Sequence, residues 1–245
     1  GYKAGGMNAR SFNDGYDPEE LTSFELGMKS ELLDQRLRLN GALFYVDHQD
    51  MQLQQFVAGA RGALSNTVNA GEAEYTGIEL EFQALLTDSL TFSGSVGYID
   101  RQFNKFLIVD PGTNQTVDVA NVAHFTYSAK ETANAALQYD LPRFSFGQVS
   151  ARLEYNYRSE VYFQPTTVGT PLNESIKGDG RGLLDARLTL AEVAVGSATA
   201  SFSLWGRNLT DEEYRVHGID FGALGYAGNV YGEPRSYGID LDVSF

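Results

Sequence analysis

The chain closes on YGIDLDVSF, in which Tyr237, Ile239, Leu241, Val243 and Phe245 are apolar and Gly238, Asp240, Asp242 and Ser244 are small or acidic. Side chains of a β-strand point alternately to opposite faces, so this segment forms a strand with one greasy face and one wet face. Chain ends usually fray and tolerate most compositions. A stripe kept up to a terminal aromatic ring therefore asks for apolar surroundings. The pattern recurs along the chain: Phe24–Leu26–Met28, Ile78–Leu80–Phe82, Phe92–Val96–Tyr98, Leu137–Tyr139–Leu141, Leu153–Tyr155–Tyr157, Leu184–Ala186–Leu188–Leu190 and Phe202–Leu204 all alternate with polar or small residues. No comparable run shows helical spacing. The sequence predicts an all-β chain.

The connections alternate as well. Short links at 33–35, 87–89, 142–147 and 193–196 separate every second pair of strands. Long links bearing Gly, Asn and Pro fill the other gaps, at 57–72, 104–127, 164–180 and 209–231. Short turns at one end and long loops at the other describe an antiparallel up-and-down meander of about ten strands.

Alternation does not say which face meets what. A soluble β-sandwich acting as a binding module packs its apolar face inward; a membrane barrel turns it outward to lipid. Three features favour the barrel. The polar faces carry both signs of charge, as with Arg152, Glu154 and Arg158 or Asp185 and Arg187. Tyr45, Tyr98, Tyr139, Tyr157, Tyr237 and Phe245 gather toward strand ends, where aromatic girdles sit. The short-turn, long-loop asymmetry is also that of outer-membrane barrels. On this reading Tyr237, Ile239, Leu241 and Val243 face lipid and Phe245 lies in the periplasmic girdle. No run reaches the roughly 20 apolar residues of a membrane helix, but barrel strands need only about 9 to 11. The 18 Lys+Arg against 32 Asp+Glu, a net charge of -14, speak against a nucleic-acid partner. The absence of cysteine removes disulfides and zinc–thiolate sites.

Several segments carry a family resemblance. YDPEELTSFELGMKSELLDQRLRLNGALFYVDHQDMQLQ (16–54), NAGEAEYTGIELEFQALLTDSLTFSGSVGY (69–98), LWGRNLTDEEY (204–214) and YGEPRSYGIDLDVSF (231–245) stand in the order and spacing of the TonB-dependent outer-membrane receptors, which they resemble. The resemblance implies a transmembrane barrel of about 22 strands around a plug, in the bacterial outer membrane. It implies uptake of a scarce nutrient, foremost a ferric siderophore or related metal chelate, energised by the TonB–ExbB–ExbD system through the plug. The terminal strand resembles the signal read by the barrel-assembly machinery. Lipid and lipopolysaccharide are the implied surroundings. Residues 1–245 then correspond to the C-terminal portion of such a barrel, without plug or TonB-contacting motif. The opening GYKAGG, with no initiator Met and no basic leader, agrees with a fragment or processed product.

No catalytic arrangement is apparent. His48, His124 and His217 are far apart in sequence, on or near predicted loops, and read as solvated. No nucleophile motif accompanies them. GDGRG (178–182) lacks the helix and spacing of a phosphate loop, and the acidic runs at 17–20 and 211–213 read as solvated loop charge. No cofactor or metal site is read. The loop aromatics of 215–231 are candidate small-molecule ligand contacts, with His217, Phe221, Tyr226 and Tyr231 foremost, because binding residues concentrate on loops held by a rigid scaffold. A passive porin-like barrel and a soluble sandwich are the rival readings, with an outer-membrane protease or lipase behind both.

Overall fold

The computed structural model describes residues 1–8, 15–59, 62–110, 112–113 and 115–245. Three short strands come first: β1 (Tyr2–Lys3), β2 (Gly6–Met7) and β3 (Gly15–Tyr16). Four long ones follow: β4 (Glu19–Leu32), β5 (Leu37–Gly59), β6 (Gly62–Thr87) and β7 (Leu90–Val109). Beyond the short β8 (Thr116–Asp118) come β9 (Glu131–Asp140), β10 (Gln148–Arg158), β11 (Arg181–Val195) and β12 (Ala198–Arg207). A ribbon of β13 (Arg215–Asp220) and β14 (Ala227–Tyr231) precedes the last strand, β15 (Ser236–Ser244). Among the described residues one antiparallel sheet dominates, in the order β1-β4-β5-β6-β7-β9-β10-β11-β12-β15, with β8 paired to the far end of β7. Neighbours in sequence are neighbours in space, as the expected meander requires.

Register sets the two faces. Leu26 lies beside Leu43, which lies beside Ile78, which lies beside Tyr98. Phe92, Leu137 and Leu153 form a second row, and Leu190, Phe202 and Leu241 a third. These side chains are not packed away: Leu80, Leu153 and Leu241 are 37%, 45% and 59% exposed. The opposite face is polar and internally bonded. Arg152 pairs with Glu154 at 2.9 Å, Arg187 with Asp240 at 2.7 Å, and the Trp205 indole donates to Asp240 at 3.1 Å. One sheet with an exposed apolar band is not a two-layer sandwich, whose apolar faces interdigitate.

Three rings lie against glycines directly opposite them on the next strand. Phe44 sits opposite Gly77, Phe82 opposite Gly94 and Trp205 opposite Gly238. A Cβ on Gly77 would fall 2.2 Å from the Phe44 ring, and one on Gly238 2.1 Å from the Trp205 indole. Only glycine leaves room for these rings.

The short links are turns, as expected, except that Val193–Val195 continue β11 and the turn there falls at Gly196 and Ser197. Leu33, Asp34 and Gln35 all take left-handed backbone angles, and Arg36 N donates to Leu33 O across the turn. The long links differ from expectation. Much of 57–72 and the start of 104–127 continue as strand in β5, β6 and β7. The span 164–180 contains a helical turn, α1 (Asn173–Ile176), where no helical run was expected, and 209–231 folds into the β13–β14 ribbon. The cause lies in the ladder. β5 and β6 shift register at His48, Met51 and Gln52, where Asp50 is left-handed, and β6 and β7 shift between Glu72 and Ala73. Each shift moves the strand by one residue and so exchanges the faces. Beyond the shifts Met51, Leu53 and Phe106 join Phe103 on the side of the polar face, around buried Ala73 and Val119. The greasy side thus turns from outside to inside, forming a small core under the loops.

In the receptor folded in lipid, Leu241→Arg places a charge in the apolar band, whereas Asp242→Arg places it on the wet face. The first should cost about 2 to 4 kcal/mol and the second much less. Chemical-denaturation midpoints of the two variants check this, and equal losses would refute the assigned faces.

Candidate functional site

The loop end of the sheet is organised by one segment, residues 124–127, between β8 and β9. Its rings leave in three directions. Phe125 stacks on Phe103 of β7 with centroids 3.8 Å apart and planes 2° apart, while Tyr75 of β6 meets its edge at 5.4 Å. The Arg101 guanidinium caps the same ring at 5.4 Å and donates to Ser128 O at 2.7 Å. His124 stacks on Tyr162 of the β10–β11 link at 3.6 Å and 2°. Tyr127 lies parallel to His217 of β13, and its hydroxyl is hydrogen-bonded to His217 Nδ1. Backbone bonds fix the arrangement: His124 N donates to Pro165 O at 2.7 Å and Tyr127 N to Tyr162 O at 2.9 Å. Tyr127 reaches both partners by taking a left-handed backbone angle.

The β13–β14 ribbon is seated on α1. Gly218 lies so close to Ile176 that a Cβ there would meet its carbonyl at 2.7 Å. Asp220 accepts from the Leu172 and Gly222 amides at 2.6 and 2.7 Å, and Asn173 and Ile176 are fully enclosed.

A cleft of about 800 Å³ opens beside the 124–127 segment, lined among others by Asp100, Arg101, His124, Phe125, Lys130, Glu160 and Tyr162. Its far wall is a charge network. Tyr162 donates to Glu174 at 3.0 Å, and Lys177 bonds Glu160 at 2.9 Å and Glu174 at 3.4 Å. Burial pushes the His124 imidazole below its ordinary value, against the pull of Glu174 and Glu160. Burial would raise Glu174, but the Tyr162 hydroxyl and Lys177 outweigh it and hold the carboxyl low. Burial and the Glu174 bond together raise the Tyr162 phenol.

The candidate contacts fall into three places. His217 stands in the 124–127 assembly, where Phe163 also approaches it at 6.0 Å. Phe221 and Tyr226 pair with each other at the exposed ribbon tip, 4.8 Å apart. Tyr231 closes the ribbon opposite Arg215. None of the four lines the cleft. Tyr237, Ile239, Leu241 and Val243 lie exposed on one face of β15, and Phe245 follows it, fully exposed. The histidines are not the solvated side chains expected. His48 bonds Glu19 at 2.9 Å through Nε2 and approaches the Tyr75 hydroxyl at 3.4 Å through Nδ1, while His124 and His217 are each stacked on a tyrosine. Their partners lie 27 to 90 residues away in sequence, or 38 for the stacked His124–Tyr162 pair, so spacing offered no signal. Among the described residues no group of three or more His, Asp or Glu side chains is placed to hold a metal. The site offers stacked rings, backbone amides and the linked charges of Glu160, Glu174 and Lys177.

The family model described as TonB dependent receptor-like, beta-barrel matches residues 1–209. The chain belongs to the TonB-dependent receptor family. Members are outer-membrane β-barrel receptors, not enzymes. The chain is 31% identical over 93 residues to PiuA of Acinetobacter baumannii, a probable TonB-dependent siderophore receptor; the match covers 38% of this chain and 12% of that protein. It is 32% identical over 90 residues to the metal-pseudopaline receptor CntO of Pseudomonas aeruginosa, covering 37% and 12%. Among solved structures, the ferric yersiniabactin uptake receptor FyuA of Yersinia pestis superposes with a TM-score of 0.74 at 21% identity, over 100% of this chain and 34% of that one. The chain thus spans about a third of the receptor whose fold it shares. In a family barrel the apolar band meets lipid and the polar face lines the lumen; the 124–127 assembly lies at the loop end of the sheet.

Because the stacked His124 ring resists protonation, an opened loop takes up the proton more readily. Loop stability therefore rises with pH through the ordinary histidine value of about 6.5 and falls below it. Protection factors of the amides across 120–128 in the full-length receptor, taken relative to each amide's intrinsic rate at the same pH, should fall from pH 7 to pH 5.5, a window kept above the Glu174 titration. His124→Phe should flatten the dependence.

Proposed function

We propose that this chain is the C-terminal portion of the barrel of an active-transport receptor that takes up a scarce metal chelate, foremost a ferric siderophore, driven by TonB–ExbB–ExbD acting through a plug in the parent protein. One observation carries the reading: in a receptor-family barrel, the loops over the polar-lined lumen are tied by stacked rings into a built surface. A passive channel has no need of such a surface. Resemblance to receptors described as taking up or binding siderophores and metal–pseudopaline supports the cargo class. His217, Phe221, Tyr226 and Tyr231 are the proposed cargo contacts, offering aromatic faces and hydrogen-bonding edges to an amphipathic chelate. The stripe Tyr237, Ile239, Leu241, Val243 and Phe245 is the proposed assembly signal and lipid face. The barrel-assembly machinery, outer-membrane lipid and lipopolysaccharide are its proposed partners.

The test is uptake of radiolabelled ferric chelates by iron-starved cells of the source bacterium. Deleting the parent gene should abolish accumulation of at least one chelate, and deleting TonB should abolish it equally. Accumulation that persists without TonB would mean passive passage and refute the proposal. Tyr226→Ala and His217→Ala should each weaken binding of that chelate by about 1 kcal/mol or more, roughly fivefold.

A further inference from the structure

At the loop end of β10 and β11, Arg158 and Arg181 are direct cross-strand partners. Opposed residues of an antiparallel pair share a face with Cβ atoms about 5 Å apart, and like charges placed so repel each other. The ribbon meets them through its backbone. Arg158 Nη2 donates to Arg215 O at 3.4 Å, and Arg215 Nη1 donates to Lys177 O at 3.3 Å and Asp179 at 3.1 Å. Tyr214 lies under the Arg181 guanidinium at 3.9 Å and Tyr231 near that of Arg215 at 6.0 Å.

The charges do not balance. The chain has 32 acidic side chains for 18 basic ones, and Arg152, Lys177 and Arg187 on neighbouring stretches each hold a carboxylate. Arg158 and Arg181 hold none among the described residues. A buried donor of the pair, Arg181 Nη1, meets no acceptor. A buried charged donor left without a partner is strongly unfavourable, and a guanidinium fork matches the paired oxygens of a carboxylate or phosphate.

We propose that Arg158 and Arg181, opposed across β10 and β11, form an oxyanion site that grips a carboxylate or phosphate group of the incoming cargo. The orphan donor completes its bond on the anion, and the cross-strand repulsion is relieved when it arrives. The cargo assignment rests on the uptake reading; anion binding itself is measured without transport, so the two fail separately.

The experiment is calorimetric titration of the full-length, detergent-solubilised receptor with citrate and with inorganic phosphate. Citrate should bind, and Arg158→Gln and Arg181→Gln should each weaken it by about tenfold or more, as expected for a lost charge-assisted bond. Arg181→Lys should recover only part of the loss, because an ammonium lacks the fork. Arg36→Gln, at a distant turn, should leave binding unchanged. Phosphate binding with the same losses marks a site for any small oxyanion; citrate binding alone marks a carboxylate site. No binding of either anion, or binding indifferent to both Gln variants, overturns the proposal.

Discussion

Hydrocarbon offers no partner for a peptide group, so every N–H and C=O inside a bilayer must be paired by the protein itself. The unbroken antiparallel ladder from β4 to β15 follows from that requirement. With the backbone satisfied laterally, each strand is free to put apolar side chains on one face and charges on the other, and the register keeps rows such as Leu26–Leu43–Ile78 aligned. Beyond the apolar band, water can satisfy the backbone and the rule loosens. There the ladder takes its shifts at Asp50 and at Glu72, and helical turns and ribbons appear.

The loop end has its own logic. Residues 124–127 couple three bodies: the wall through Phe125, the β10–β11 link through His124, and the β13–β14 ribbon through Tyr127. The chain entering the ribbon meets the two opposed arginines of the strands below, Arg158 through the Arg215 carbonyl and Arg181 through the Tyr214 ring. The proposed ring contacts and the proposed oxyanion site therefore share one support, and the segment that stacks the rings also holds the ribbon over the arginines. Rings and guanidiniums together suit a cargo with both aromatic and anionic parts.

Most of the fold was legible because membrane strands obey one simple rule, period two with the apolar side outward. The turn at 33–35 and the final strand fall where that rule places them. It failed where its physical basis ends. Above the lipid the apolar side of β5 and β7 turns inward at Met51, Leu53 and Phe106, and a register shift interrupts the alternation, so continuing strands looked like loops. The four-residue helix α1 is too short to leave a periodic trace. Of the loop aromatics in 215–231, Phe221 and Tyr226 pair with each other at the ribbon tip. The partners of His48, His124 and His217 were not legible, because stacking and hydrogen bonds across loops are set by tertiary geometry. The pairing of Arg158 with Arg181 was hidden for a related reason: only the register of two strands separated by a long link reveals it.

The rings lying on Gly77, Gly94 and Gly238 bear on how such a wall is assembled. Each aromatic needs a neighbour without a Cβ, and each glycine is flanked along its strand by residues that have one. A strand that inserts one step out of place drives the Phe44 or Trp205 ring into a side chain, and the clash arises before any loop has closed. The glycines thereby act as steric checkpoints, rejecting misaligned staves while the wall is still being zipped together.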